Sequence, residues 1–131
     1  MPLKLSLKPG EAVVVNGAVI RNGERRGTLL LETRARILRE RDIMFPEQVK
    51  TLQDAAYFSV MQMYLTGDKG GALYDACISA LADLMEETRE EKDRTEILSI
   101  TRSLAAGQVY KALGTCRKLV RRDSEAEAQH G

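Results

Sequence analysis

Nine basic side chains crowd the first 43 residues: Lys4, Lys8, Arg21, Arg25, Arg26, Arg34, Arg36, Arg39 and Arg41. Five acids share that stretch, leaving it at net +4, while the other 88 residues carry 11 bases against 14 acids, net −3. The overall charge of +1 therefore conceals a polarised molecule. Seven of the nine are arginines, whose planar donor forks grip phosphate oxygens and stack on unpaired bases. Their chemistry is that of an RNA- or phosphate-binding surface. A competing reading is that cations on small sheets keep strand edges from aggregating, and spacing alone does not separate the two. A second basic set, Arg102, Lys111, Arg117, Lys118, Arg121 and Arg122, reads first as complement to the negative end of a helix and second as a ligand site.

Catalytic and metal chemistry lack candidates. The single histidine is His130, near the C-terminus, and Cys77 and Cys116 are 39 positions apart rather than in close pairs, so no zinc-type ligand set emerges. Gly67 to Gly71 lacks the terminal Lys-Ser/Thr of a phosphate-binding loop and reads as a turn. No Gly-x-Ser-x-Gly occurs. The carboxylates Glu86, Glu87, Glu90 and Glu91 read as a solvated helix end. The expectation is a non-enzymatic protein without metal or cofactor, with both cysteines as buried thiols in preference to a disulfide.

The elements that would position these residues form an α+β fold: a small N-terminal antiparallel sheet or partial barrel, then three to four helices. Leu3, Leu5 and Leu7 alternate with Lys4, Ser6 and Lys8, the period of a half-buried strand. Val13 to Val15, Asn16-Gly17 and Ala18 to Arg21 read as a tight hairpin. After the loop Asn22 to Gly27 come a strand from Thr28 to Glu32 and a possible fifth from Arg34 to Arg39, which if regular points Arg34 and Arg36 from one face. Pro46-Glu47 reads as a helix start, giving helices over 46–65 and 71–89. The charged run Glu86 to Glu96 separates these from a third helical region that Gly107 kinks or splits. The resulting domains are a basic β-rich module (1–44), a helical module (45–122) and a disordered tail (123–131). No stretch suits a membrane span or a signal core, so the expected location is the cytoplasm.

Within helix one, Ala55 to Leu65 is apolar nearly all round, wider than one core-facing stripe requires. Most of it reads as core. The other reading is that Tyr57, Met61 and Tyr64 cover a second surface, either a protomer interface in a homodimer or a groove for a partner protein.

Four runs carry a resemblance: Pro2 to Glu11 (PLKLSLKPGE), Asn16 to Gly23 (NGAVIRNG), Ala35 to Met44 (ARILRERDIM) and Tyr64-Leu65. With them the chain closely resembles the FlbT family of flagellar regulators of alphaproteobacteria. The resemblance implies a post-transcriptional regulator that associates with the 5′ untranslated region of flagellin messenger RNA and represses it by promoting decay, with the opposite sense in some relatives. It implies no RNA-contacting residue, so the nine cations stand on chemistry alone. A second class of function keeps the same pathway: a protein-interaction or chaperone-like module that holds flagellin or another flagellar protein on the helical surface. The opening Lys8-x-Gly10-Glu11 is also similar to that of the carbon-storage-regulator translational repressors, small β-rich RNA-binding dimers in which a basic residue of a late strand contacts RNA. Arg39 or Arg41 falls nearby.

Overall fold

The computed structural model describes residues 2–130, with side chains through 125. It forms two compact units, Met1–Ile43 with Leu65–Gly67 and Met44–Tyr64 with Asp68–Gly131. The fold class is α+β, as the sequence predicts.

The first unit holds β1 (Leu3–Leu7), β2 (Ala12–Val15), β3 (Ala18–Arg21), β4 (Gly27–Leu31) and β5 (Ile37–Arg39). They build two small sheets, β1 beside β4 and β3–β2–β5, with every pairing antiparallel. The alternation in β1 decides which face is buried: Leu5 and Leu7 go inside while Lys4 and Ser6 stay exposed. Both leucines pack with Val13 into one core, flanked by Val15, Leu29, Leu31 and Ile37. At the hairpin Asn16 (φ 49°) and Gly17 (φ 84°) both take left-handed conformations, the backbone of a type I′ turn whose twist matches its strands.

The fifth strand is shorter than the predicted Arg34 to Arg39, and this is a correction. Its partner is β2, in the register Val15 to Ile37 and Val13 to Arg39. Because β2 ends at the hairpin, residues before Ile37 have no strand to pair with. The Asn16 N–H donates to the Arg36 carbonyl at 2.8 Å and the Arg36 N–H donates to Asn16 Oδ1 at 2.8 Å, which closes the ladder. Arg34 and Arg36 therefore lie in a loop and share no strand face.

The second unit contains a 3₁₀ turn (Pro46–Gln48) and four helices, α1 (Leu52–Thr66), α2 (Gly71–Glu87), α3 (Glu91–Ala105) and α4 (Val109–His130). Pro46 starts the short turn and not the long helix. The α-helix begins six residues later, where the Asp54 N–H donates to Thr51 Oγ1 at 3.0 Å and Asp54 Oδ2 accepts from the Thr51 N–H at 3.2 Å. This reciprocal capping box satisfies donors that a helix start leaves orphaned, and Thr51-x-x-Asp54 is legible in the sequence. The charged run Glu86 to Glu96 is not a spacer: Glu86 and Glu87 close α2, and Glu91 and Asp93 sit in the first turn of α3, where negative charge suits the helix dipole. Arg94 fastens the intervening bend, donating through Nη1 to the carbonyls of Met85 and Thr88 at 3.1 and 2.9 Å.

Gly107, at φ 77°, splits the third helical region into α3 and α4. The stretch from Asp123 read as a disordered tail continues α4 to His130. Side chains beyond 125, including His130, lie outside the described residues. Arg122 is neither a terminal cap nor displayed: its Nη2 pairs with Asp93 at 3.1 Å and with Glu96, joining α4 to α3.

Cys77 on α2 and Cys116 on α4 are free and buried in the helical core. Burial pushes the Cys77 thiol up to about 11 and the Cys116 thiol up to about 12, with Cys77 contributing to the latter. Since the thiolate is the reactive form, an aromatic disulfide reagent at pH 8 should label both cysteines in guanidinium and neither in the folded chain. Unfolded thiols release their protons from about pH 8.5 while the folded ones hold theirs, so the unfolding free energy should be insensitive to these groups below pH 8.5 and fall as pH rises toward 11. Thiol labelling at equal rates with and without denaturant would contradict this.

Candidate nucleic-acid interface

Strand order divides the nine cations between two ends of the β unit. Three connections meet at one end: the turn from Lys8 to Glu11, the loop from Asn22 to Arg26, and a 3₁₀ turn over Glu40–Asp42. Lys8, Arg21, Arg25, Arg26, Arg39 and Arg41 fall there. The opposite end carries the Asn16-Gly17 turn and residues 32–36, hence Arg34 and Arg36, with Lys4 one position inside β1. The cations form two groups and not one continuous cradle.

Side-chain bonds to backbone hold the first end in shape. The Asn22 carboxamide donates through Nδ2 to the carbonyls of Leu7 (3.2 Å), Lys8 (2.9 Å) and Arg25 (2.9 Å). Its Oδ1 lies 3.3 Å from where a Cβ on Gly27 would stand, so a side chain at 27 would crowd it. Gly10 N–H donates to the Gly23 carbonyl at 2.9 Å and Asn22 N–H to the Glu11 carbonyl at 2.8 Å, so the turn and the loop are fastened together. Lys8 and Arg26, immediately beyond the Leu7–Gly27 pair, thus flank the same strand ends.

Two arginines at this end are spent on structure. Arg21 Nη1 donates to the Gly10 carbonyl at 2.6 Å and lies 3.5 Å from Glu40 Oε1. Arg39 Nη1 donates to the Ser6 carbonyl at 3.1 Å and lies 3.7 Å from Glu11 Oε2. The carboxylates are anchored in turn, since Glu11 Oε1 accepts from the Lys8 N–H at 2.8 Å and Glu40 Oε2 from the Ala12 N–H at 3.2 Å. Lys8, Arg25, Arg26 and Arg41 remain exposed with no side-chain ion pair among the described residues. Glu24 shares their end, so the field there is positive but not purely so.

At the opposite end Lys4 and Arg34 are exposed, but Arg36 is held: its guanidinium lies against Gly67 (φ 78°), where a Cβ would come within 2.9 Å of Cζ. The Arg36 Nε is buried without a hydrogen-bond partner. Among the described residues six of the nine predicted cations are therefore exposed and without an ion pair, Arg21 is exposed but engaged with Gly10 and Glu40, and Arg36 and Arg39 are half-buried.

Tyr57, Met61 and Tyr64 do not form a surface, which corrects the groove reading. They are 4 %, 4 % and 8 % exposed. Met61 Sδ accepts the Met44 N–H at 3.3 Å, and the Tyr64 ring lies 5.2 Å from that of Tyr110. Helix α1 is apolar nearly all round because it is covered on several sides, with Ala56, Val60 and Met63 buried as well. Exposed apolar residues lie elsewhere, notably Val19 and Ile20 on β3, whose four residues are all exposed. Among the described residues no helix is long and apolar enough to cross a membrane, and no cluster of three metal-ligating side chains occurs.

The family model for the flagellar protein FlbT matches residues 3–127. The chain belongs to the FlbT family. It is 44% identical over 125 residues to the probable flagellum biosynthesis repressor protein FlbT of Caulobacter vibrioides, covering 95% of this chain and 89% of that one. It is 43% identical over 120 residues to the FlbT of Caulobacter sp. strain K31, covering 92% of each. With the FlbT of Rhodopseudomonas palustris it shares 35% identity over 125 residues, 95% of this chain and 97% of that protein. No solved structure matches. The FlbT match spans all five strands and all four helices, so it covers both units.

In this FlbT chain Asn22→Ala should remove the three carbonyl bonds and destabilise the protein by about 1–2 kcal/mol, the cost of unsatisfied partly buried groups. Denaturant titration measures the loss. Hydrogen exchange should accelerate at the Gly23 to Arg26 amides more than in α3, and uniform acceleration would show that the loop is held by something else.

Proposed function

We propose that the chain represses flagellum biosynthesis after transcription, by binding the 5′ untranslated region of flagellin messenger RNA through the β unit and promoting its decay. The observation that carries the reading is the set of six exposed cations, Lys4, Lys8, Arg25, Arg26, Arg34 and Arg41, that the β unit leaves without carboxylate partners. Uncommitted cations on a small rigid module are what a polyanion releases its counterions to. The relatives' names as flagellum biosynthesis repressors support the outcome. The protein works in the cytoplasm without catalysis of its own, so decay falls to a cellular nuclease. The competing reading, docking of flagellin or another flagellar protein on the helical surface, loses Tyr57, Met61 and Tyr64 to the core.

Binding of a flagellin leader transcript should weaken linearly on a log–log plot against salt, with a slope of about −3 to −5 for four to six phosphate contacts. Fluorescence anisotropy between about 50 and 300 mM salt, over which the Debye length falls from about 14 to about 6 Å, reads this directly. Absence of leader binding, or a slope near zero, would overturn the proposal.

A further inference from the structure

We infer that the RNA is seated at the end of the β unit formed by Lys8, Arg25 and Arg26, where it is gripped through the phosphates of a base-paired stem and not through stacked bases. This rests on the RNA-binding reading above and assigns it a place and a mode. The loop carrying Arg25 and Arg26 is preorganised. Asn22 donates to the Leu7, Lys8 and Arg25 carbonyls, so the backbone that carries Lys8 on one connection and Arg25 on the other is held by the same carboxamide, with Arg26 next to it. Holding the backbone of both connections in place before binding avoids the part of the ordering cost that flexible basic loops meet. Arg21 and Arg39, which flank them, are engaged with Glu40 and Glu11 and act as positioning residues for the two connections.

The mode follows from what the unit is made of. Residues 1–43 contain no phenylalanine, tyrosine or tryptophan, so the β unit offers an unpaired base no aromatic platform, and stacking there would fall to guanidinium planes alone. Proteins that hold single strands rely on such platforms, whereas A-form stems are held across their grooves through phosphates and ribose hydroxyls. Exposed cations on two connections whose backbone is held, without aromatics, match the second case. Lys4 and Arg34, exposed at the opposite end, lack any comparable clamp and serve as the internal control.

The full chain is titrated against three labelled RNAs: a stem-loop from a flagellin leader, its isolated duplex stem, and an unstructured single strand of equal length. Wild type should bind the stem-loop and the stem within about threefold of each other and the single strand at least tenfold more weakly. Lys8→Gln/Arg25→Gln/Arg26→Gln, all exposed positions, should keep its fold by circular dichroism. It should weaken stem binding at least tenfold at low salt and make the salt slope shallower by about 2–3. Lys4→Gln/Arg34→Gln should change affinity less than threefold. An unchanged slope in the triple variant, with wild type still binding RNA, overturns the location and leaves RNA binding standing. Preference for the single strand overturns the mode. Wild type that binds none of the three removes the RNA reading itself, and this inference with it.

Discussion

The carboxamide of Asn22, bonded to the carbonyls of Leu7, Lys8 and Arg25, meets the constraint on which the β unit depends. Strands of three to five residues bury little apolar surface, and a core of three fully buried side chains cannot by itself fix the ends of two separate sheets. Side chains must close what the ladders leave open. Asn16 does so at the hairpin end and Asn22, Glu11 and Glu40 do so at the other, each reaching a backbone group that no strand satisfies. Both asparagines precede glycines, and the Asn-Gly pairs that announce turns are also the pins.

This economy explains why a unit so rich in cations is not uniformly basic in its accessible surface. Arg21 reaches the Gly10 carbonyl and Arg39 the Ser6 carbonyl, each steadied by a carboxylate. An arginine in that position is a strut. Its positive charge is neutralised by Glu40 or Glu11, so the field that reaches solvent comes from side chains with no such duty. The same residue type thus does two kinds of work within one small sheet, and the difference lies in whether an acid stands within reach.

Much of the architecture was legible. The leucine alternation in β1, the Asn16-Gly17 hairpin and the break at Gly107 are local signals, and each needs only a few neighbouring residues to take effect. What escaped is non-local. That β5 starts at Ile37 is decided by where β2 ends, and that Arg36 packs on Gly67 involves residues 31 positions apart. Tyr57, Met61 and Tyr64 carry the composition of a binding surface and of a core equally, and only their burial distinguishes the two. The capping box at Thr51 and Asp54 was available in the sequence, but the proline at 46 is a stronger local mark and drew the helix start toward itself.

In the helical unit the second basic set shows why formal charge misleads. Of that set Arg122 is spent on Asp93 and Glu96, across the packing of α3 on α4, while Arg94, outside the set, is spent on the Met85 and Thr88 carbonyls. A helix pair that alternates acids on one member with bases on the other satisfies its charges internally, and such partly exposed pairs add little to stability while removing both signs from the outer field. The six exposed cations of the β unit form no ion pair among the described residues, although Glu24 shares the end with four of them. Each pair removes one charge of either sign, so the net +4 of the first 43 residues and the −3 of the rest stand, and what pairing decides within the β unit is which of its cations remain uncommitted.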